Sequence, residues 1–356
     1  MAIRMIHVGV GGRGRDWLDF VAQHPEITSA ACVDVNETAL QAAREAPGQE
    51  HGQFFTDLDQ AFERVEADAA LITSPSFLHA GQAMQALKAG LAVLVEKPFG
   101  NSVAEALPVV QRAREVNKPV VVAENYRFFR AERTVRHLLE TGHVGQVSTA
   151  ICIDRRDQPS HTQGPWVKDM AEPFLTEIAV HHFDSFRYFF NCESRTIFSR
   201  SYNPALSDYN GQAAAEACIE MESGARIQYS GTLCATRYEY SLWIEGDKGE
   251  LWTDRKRVWW RAKGRRFFRP LKLVPVPKGD EHGYPKGGTV SLLNQLRDAV
   301  EQGKSPETSG ADNLWTLAMM EASILSAQEG RLTRVDEIYT PDMQARAVAS
   351  PDGDQA

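Results

Sequence analysis

Apolar residues fall along this chain in two rhythms. Up to about residue 124, short apolar runs alternate with stretches whose apolar positions recur every three to four residues. The runs Ile3–Gly9, Ala30–Val35, Gln53–Phe55, Ala69–Thr73, Ala92–Glu96 and Val120–Glu124 predict strands. Several are continuously apolar, as strands covered on both faces must be. Between them, Arg13–Gln23, Glu37–Ala46, Leu58–Arg64, His79–Ala89 and Val103–Asn117 carry helical spacing. Strand–helix alternation predicts a doubly wound parallel sheet, with a ligand site at the C-terminal strand ends.

After Glu124 the rhythm changes. A helix is expected near Ala131–Glu140, a strand near Val147–Asp154, an irregular Pro/Gly stretch near Gln158–Pro165, and a helix over about Phe174–Phe190. Residues 195–273 read as consecutive strands joined by turns at Glu222-Ser223-Gly224, Gly246-Asp247-Lys248-Gly249 and Lys263-Gly264. That pattern predicts an antiparallel sheet with helices on one face. Helices over Thr289–Gln302 and Gly310–Gln328 close the fold. The expected division is a nucleotide-binding domain over 1–124, an α+β domain over 125–340, and a flexible polar tail over 341–356.

Composition narrows the class. A net charge of −8 argues against a general nucleic-acid binder. Cys32, Cys152, Cys192, Cys218 and Cys234 are odd in number and widely spaced, with no C-x-x-C, so reduced thiols in a cytoplasmic protein are expected. The first residues enter a strand at once, without the pattern of a signal peptide, and no apolar run is long enough to span a membrane. The histidines show no metal-ligand spacing, and no metal is expected.

The first strand leads into Gly9-Val10-Gly11-Gly12-Arg13-Gly14, and Asp34 ends the second strand 20 positions after Gly14. Strand, glycine turn, helix, strand and acidic end form a dinucleotide-binding pattern. Gly9 and Gly11 permit the tight turn and a close backbone approach to a pyrophosphate, Gly12 lies in the same turn, and Gly14 lets the helix pack on its strand. The pyrophosphate then sits at the helix N-terminus. Asp34 suits a ribose diol and repels a 2′-phosphate, which favours NAD over NADP; Arg13 and Arg15 soften that preference, since either could reach a phosphate.

Two further sets of residues carry candidate chemistry. Lys97, in Glu96-Lys97-Pro98, ends the fifth strand on the cofactor side; it reads either as a solvated lysine or as a group tuned by a nearby nicotinamide for acid/base work. On the helix after the irregular stretch, Glu177, His181, Asp184 and Tyr188 share one stripe. That stripe is either a solvated face or a site in which Glu177 orients His181 as a proton acceptor. Periodicity alone does not choose between them.

Together these pieces resemble the glucose-fructose oxidoreductase / inositol dehydrogenase / MocA (Gfo/Idh/MocA) family. The resemblance runs from about Ile3 to Leu332. It is carried by the glycine turn, Val33-Asp34-Val35-Asn36, Thr73-Ser74-Pro75 with His79, Glu96-Lys97-Pro98, Glu124-Asn125-Tyr126-Arg127-Phe128 and Ile178–Asp184. It implies a Rossmann domain followed by an α+β domain with a large open, mostly antiparallel sheet that serves dimer or tetramer contacts. It implies Glu96 near the nicotinamide ribose, Thr73, Pro75 and His79 lining the cofactor, and Asn125 and Arg127 where the domains meet. Lys97 and His181 are then expected to flank the substrate carbon, with His181 the main acid/base.

Two departures bear on substrate: Glu177 stands where the family often has Asp, and Glu172-Pro173 where it often has a Gly-Gly pair. Trp166 and Lys168 are expected near the pocket; Arg155 and Arg156 either join them, suiting an anionic sugar, or pair with Asp154 and Asp157 at the surface. The basic and aromatic tract Arg255–Arg269 reads as a charged outer face or a subunit contact. The expected activity is hydride transfer between a sugar, sugar acid or polyol and NAD. A redox-neutral NAD-dependent glycosidase and a non-catalytic sugar or NAD sensor are the alternatives.

Overall fold

The computed structural model describes residues 2–348. In chain order its main elements begin with β1 (Ile3–Val8), α1 (Gly12–Ala22), β2 (Ile27–Val33), α2 (Glu37–Arg44), β3 (Gln53–Phe55), α3 (Leu58–Arg64), β4 (Ala69–Ile72), α4 (His79–Lys88), β5 (Ala92–Val95), α5 (Val103–Glu115) and β6 (Val120–Val122). They continue with α6 (Arg130–Glu140), β7 (Val147–Asp157), α7 (Val180–Phe190), β8 (Ser194–Tyr202), β9 (Ala214–Met221), β10 (Arg226–Thr232), β11 (Cys234–Gly246), β12 (Gly249–Thr253), β13 (Val258–Ala262) and β14 (Arg269–Leu271). The last are α8 (Thr289–Gln302), α9 (Gly310–Glu329), β15 (Thr333–Arg334) and α10 (Pro341–Val348).

The described residues form two compact units, one of residues 2–125, 284–317 and 341–348, the other of 126–283 and 318–340. The first unit is therefore discontinuous. Residues 284–317 do not stay with the second domain, against the expected span of 125–340; α8 packs on β5, β6 and α1 of the first. Of the segment expected as a tail, Pro341–Val348 is a helix against α5, and the remainder, 349–356, lies outside the described residues.

In the first unit a parallel six-stranded sheet runs β3-β2-β1-β4-β5-β6. β4 and β5 are fully buried, which is why they read as unbroken apolar runs. Its helices start on local signals: Asn36, Asp57 and Ser102 each accept backbone N–H bonds as caps of α2, α3 and α5. The strand order changes direction at β1 and β4, the switch point at which such sheets bind ligands.

The second unit holds a nine-stranded sheet in the order β14-β13-β12-β11-β7-β10-β9-β8-β15. All neighbours are antiparallel except β7 and β10. Along β7, Cys152 and Asp154 are buried while Ile151 and Ile153 are more than a third exposed, the alternation of a sheet with one covered face. Burial pushes the Cys32 and Cys152 thiols up to about 12, so both are inert core residues. Among the described residues no helix is long and apolar enough to cross a membrane.

Candidate active site

The glycine turn after β1 is shaped by backbone contact. Gly9 has φ +84°, and a Cβ there would lie 2.7 Å from the Ser74 nitrogen; a Cβ on Gly14 would lie 2.1 Å from the Gly9 carbonyl oxygen. A Cβ on Gly11 or Gly12 would meet nothing within 4 Å, so the turn is tight below and open above. Gly11 is the N-cap of α1, and no side chain caps that helix. An open glycine cradle at an uncapped helix start fits a dinucleotide pyrophosphate. Asp34 is fixed beside it: one carboxylate oxygen accepts the Val10 N–H and the other the Asn36 N–H, both at 2.9 Å, leaving lone pairs for a diol.

The other expected cofactor residues brace this edge. The Thr73 hydroxyl donates to the Gly9 carbonyl at 2.5 Å. Pro75 caps the short 3₁₀ turn Ser76–Leu78. His79 is buried, its ring nitrogens 2.7 and 2.9 Å from the Pro98 and Ser74 carbonyl oxygens, so it clasps the loops that follow β4 and β5. Asn125 donates from Nδ2 to the Gly287 carbonyl at 3.0 Å and holds the 284–288 loop.

Glu96 and Arg13 pair with each other. The Glu96 carboxylate accepts from Arg13 Nε at 2.8 Å and Trp17 Nε1 at 2.7 Å, and Arg13 also donates to the Pro285 carbonyl at 3.0 Å. Burial pushes the Glu96 carboxyl up, but Arg13 and Trp17 outweigh it and hold it below the usual carboxylate range. Glu96 and Arg13 thus tie α1, the end of β5 and the 284–288 loop together. Lys97 follows Glu96, half-buried, with a cis peptide to Pro98.

In the second unit, the helix expected over Phe174–Phe190 begins as one π turn, Leu175–Ala179, before α7. Such wider turns recur at functional sites. The turn carries Glu177, half-buried, and α7 then carries His181, which is 7% exposed. The polar stripe is no solvated face. Asp184 is fully buried and accepts both Arg127 Nε (2.7 Å) and Nη2 (2.6 Å), and the Tyr188 hydroxyl accepts from Arg133. The His181 ring lies 4.1 Å from that of Tyr126 with planes 11° apart, a parallel stack.

Two residues expected at the substrate already have protein partners. Arg127 is 5% exposed and its fork is occupied by Asp184. Arg156 donates to Asp154 at 2.8 Å and to the Tyr126 hydroxyl at 3.0 Å. Burial opposes the Arg156 charge, but Tyr126 and Asp154 outweigh it and raise its proton affinity. The Asp154 pairing is one of the two expected arrangements, yet it is buried rather than superficial; Arg155 is the exposed one, 3.7 Å from Glu239. Trp166 and Lys168 lie in the irregular stretch, Trp166 half-buried with its ring over Gly164, Lys168 exposed near Asp208. Arg255, expected on an outer face, is buried in an ion pair with Glu132 at 2.7 Å.

Sequence reasoning missed Tyr126, Trp17, Arg255 and the 284–288 loop. Only Tyr126 left a signal, inside the Asn125–Phe128 motif. Among the described residues, no group of three or more His, Cys, Asp or Glu side chains is arranged to hold a metal.

A Rossmann sheet with a glycine cradle, joined to an α+β domain with a buried histidine, defines a class of nucleotide-dependent oxidoreductases. Residues 3–124 match the oxidoreductase family with an NAD-binding Rossmann fold, and residues 133–252 match the Gfo/Idh/MocA C-terminal domain. The chain belongs to the Gfo/Idh/MocA family of NAD-binding oxidoreductases. It is 28% identical over 360 residues to the uncharacterized protein y4oX of Sinorhizobium fredii, spanning 95% of this chain and 97% of that one. It is 26% identical over 331 residues to D-apiose dehydrogenase of Paraburkholderia graminis, spanning 90% and 85%. An oxidoreductase of Agrobacterium radiobacter, solved with NAD+, L-tartaric acid and magnesium, shares the fold with a TM-score of 0.83 at 19% identity, over 95% of this chain and 99% of that one.

Proposed function

We propose that this protein transfers hydride between NAD and a hydroxyl or carbonyl carbon of a neutral sugar or polyol. Bound NAD would supply the hydride chemistry at its nicotinamide ring. His181 takes the proton of the substrate hydroxyl in oxidation and returns it in reduction. Glu177, four residues before it, orients the imidazole, and Lys97 polarises the same or a neighbouring oxygen. Gly9, Gly11, Gly12 and Gly14 cradle the pyrophosphate and Asp34 takes the adenosine ribose, with NAD preferred over NADP. Trp166 and Lys168 are assigned to the substrate side.

The observation that carries this reading is the state of His181. An imidazole at the start of α7, nearly buried and stacked on an aromatic ring, is held in one orientation, as a proton acceptor requires and a sensor does not. The relationship to D-apiose dehydrogenase supports a sugar substrate. An acidic sugar loses support because Arg127 and Arg156 are already paired with Asp184 and Asp154. An acidic or sulfonated glycoside, imagined as the substrate of the glycosidase alternative, loses support for the same reason.

The test is absorbance at 340 nm with NAD+ and pools of aldoses, ketoses and polyols. A rise that falls by about 10²- to 10⁴-fold in His181→Ala and Lys97→Ala supports the assignment. Activity that survives in both variants removes it. The apolar side chains Ile151, Ile153, Phe198 and Trp243, each more than a third exposed on the nine-stranded sheet, support a homodimer or homotetramer through that sheet. Light scattering of the protein with Ile151→Lys/Trp243→Glu tests it, with dissociation to monomer the expected result.

A further inference from the structure

We infer that Arg255, held by Glu132, is a positioning residue for His181, acting through the Tyr126 ring on which His181 stacks. The Arg255 guanidinium carbon lies 4.3 Å from the Tyr126 ring centroid and 3.7 Å from that of Tyr240. Both are within cation–π range. Its Nε donates to Glu132 at 2.7 Å, and the two side chains are 8% and 2% exposed. Tyr126 is gripped at its other end too, since its hydroxyl accepts from Arg156, itself bound to Asp154. One ring is thus fixed by a cation at its face and a cation at its hydroxyl, and the ring that it fixes in turn is His181.

The backbone gives independent support. Arg255 has φ +69° in the turn between β12 and β13. A non-glycine residue there is strained by about 1 kcal/mol or more, and glycine or asparagine would hold the turn with less strain. What arginine adds is its side chain, sent inward to Glu132, Tyr126 and Tyr240. The polar tract that follows Arg255 in sequence has no share in this; it is the turn that separates Arg255 from its neighbours.

A stacked, immobile imidazole loses little free energy to orientation when it acts on a substrate, and misplacement by an ångström can cost about a hundredfold in rate. That consequence rests on the role of His181 proposed above; the stack and its lock do not. Removing Arg255 alone would strand the Glu132 carboxylate in the core, so the variant to use is Arg255→Met/Glu132→Gln. Tyr126→Leu removes the ring without stranding a charge, and Arg255→Lys keeps the cation without the planar fork.

The readout is the imidazole C–H signals of His181 in ¹H–¹³C spectra, identified by their loss in His181→Gln. In the wild-type protein ring current from Tyr126 shifts them upfield. The expected result is loss of that shift in Tyr126→Leu, loss or broadening in Arg255→Met/Glu132→Gln, and partial recovery in Arg255→Lys. With a turned-over sugar, kcat falls about tenfold to a hundredfold in the double variant while KM changes less than about twofold. His181 signals unchanged in the folded double variant, or in Arg255→Gln if the double variant does not fold, overturn the inference. A wild-type protein with the upfield signals but no turnover of any sugar tells against the hydride-transfer reading and leaves the lock standing.

Discussion

The glycine turn after β1 and the polar core beneath α7 each hold a group in place, with opposite materials. In the turn the holding is done by backbone: Gly9 against Ser74, Gly14 against Gly9, and two main-chain N–H groups on Asp34. Beneath α7 it is done by buried charge and rings drawn from five segments, at Tyr126–Arg127, Glu132, Asp154–Arg156, His181–Asp184 and Arg255. Backbone devices tolerate no added atoms but need no partners. Charge devices tolerate reshaping but fail when one partner is lost, because the other is left unpaired in a medium of low dielectric.

The largest expected effect follows from that contrast. Arg127→Met takes the bidentate partner from buried Asp184, leaving Arg187 Nη1 at 3.7 Å, and should cost about 3 kcal/mol of stability in thermal or urea unfolding. Arg127→Met/Asp184→Leu should recover most of it. If Arg127→Met instead leaves stability intact and raises KM for a sugar, Arg127 is a substrate ligand and the charge-built description of this region fails.

The backbone-built region is sharpened by two glycines. A Cβ at Gly14 meets the Gly9 carbonyl at 2.1 Å, while one at Gly11 meets nothing within 4 Å. Gly14→Ala should therefore lose about 2–3 kcal/mol of stability as the turn is forced open. Gly11→Ala should leave unfolding unchanged and weaken NADH binding, measured by fluorescence titration, because its Cβ enters the space assigned to the pyrophosphate. Equal damage to stability from both would mean that the open side of the cradle is not open.

The same contrast explains what is legible in the sequence. The strands β1 to β6 and helices α1 to α5 fall within a few residues of the expected ranges, because apolar runs and the caps Asn36, Asp57 and Ser102 are local signals. The return of residues 284–317 to the first unit is a matter of contact between distant segments and has no pattern to read. The π turn at Leu175–Ala179 has no spacing signature either. Asp184 lies 57 residues from Arg127, and Glu132 lies 123 from Arg255. Arg255 reads in sequence as part of an outer face with its basic neighbours; only the turn geometry shows that its side chain points in.

Acid offers a comparison that touches both units. His7, on β1, is wholly buried beside the Ser29 hydroxyl, and burial lowers its pKa to about 3. His182, beside His181, is also buried; burial lowers its pKa well below 6.5, helped by Arg255 and Arg156 and opposed by the Asp154 carboxylate 3.2 Å from its Nε2, while its Nδ1 lies 2.9 Å from the Tyr229 hydroxyl. Each is neutral in the folded protein and gains a proton near pH 6.5 once unfolded. The unfolded state then binds more protons below pH 6.5, so stability is full above that pH and falls as pH drops towards the folded value. For His7 the loss at pH 5 is about 2 kcal/mol. Unfolding of His7→Gln and of a non-titrating variant at His182, each compared at pH 7 and pH 5, should show a smaller acid loss than the wild type. An undiminished loss in both would place the acid sensitivity elsewhere.

The smallest effect separates two jobs held by one residue. Asp34 receives the N–H groups of Val10 and Asn36, so it shapes the turn even without a ligand, and Asp34→Ala will weaken any dinucleotide to some degree. Weaker NAD binding alone therefore says little about recognition of the ribose. The ratio is the informative quantity. A carboxylate that accepts from a diol favours NAD and repels a 2′-phosphate, and both terms vanish in Asp34→Ala, whereas the loosened turn is common to NAD and NADP. The NAD/NADP preference should fall by about tenfold, equivalent to about 1.4 kcal/mol, in parallel titrations with the two reduced cofactors. A variant that binds both more weakly at an unchanged ratio would show that Asp34 holds the turn and nothing more.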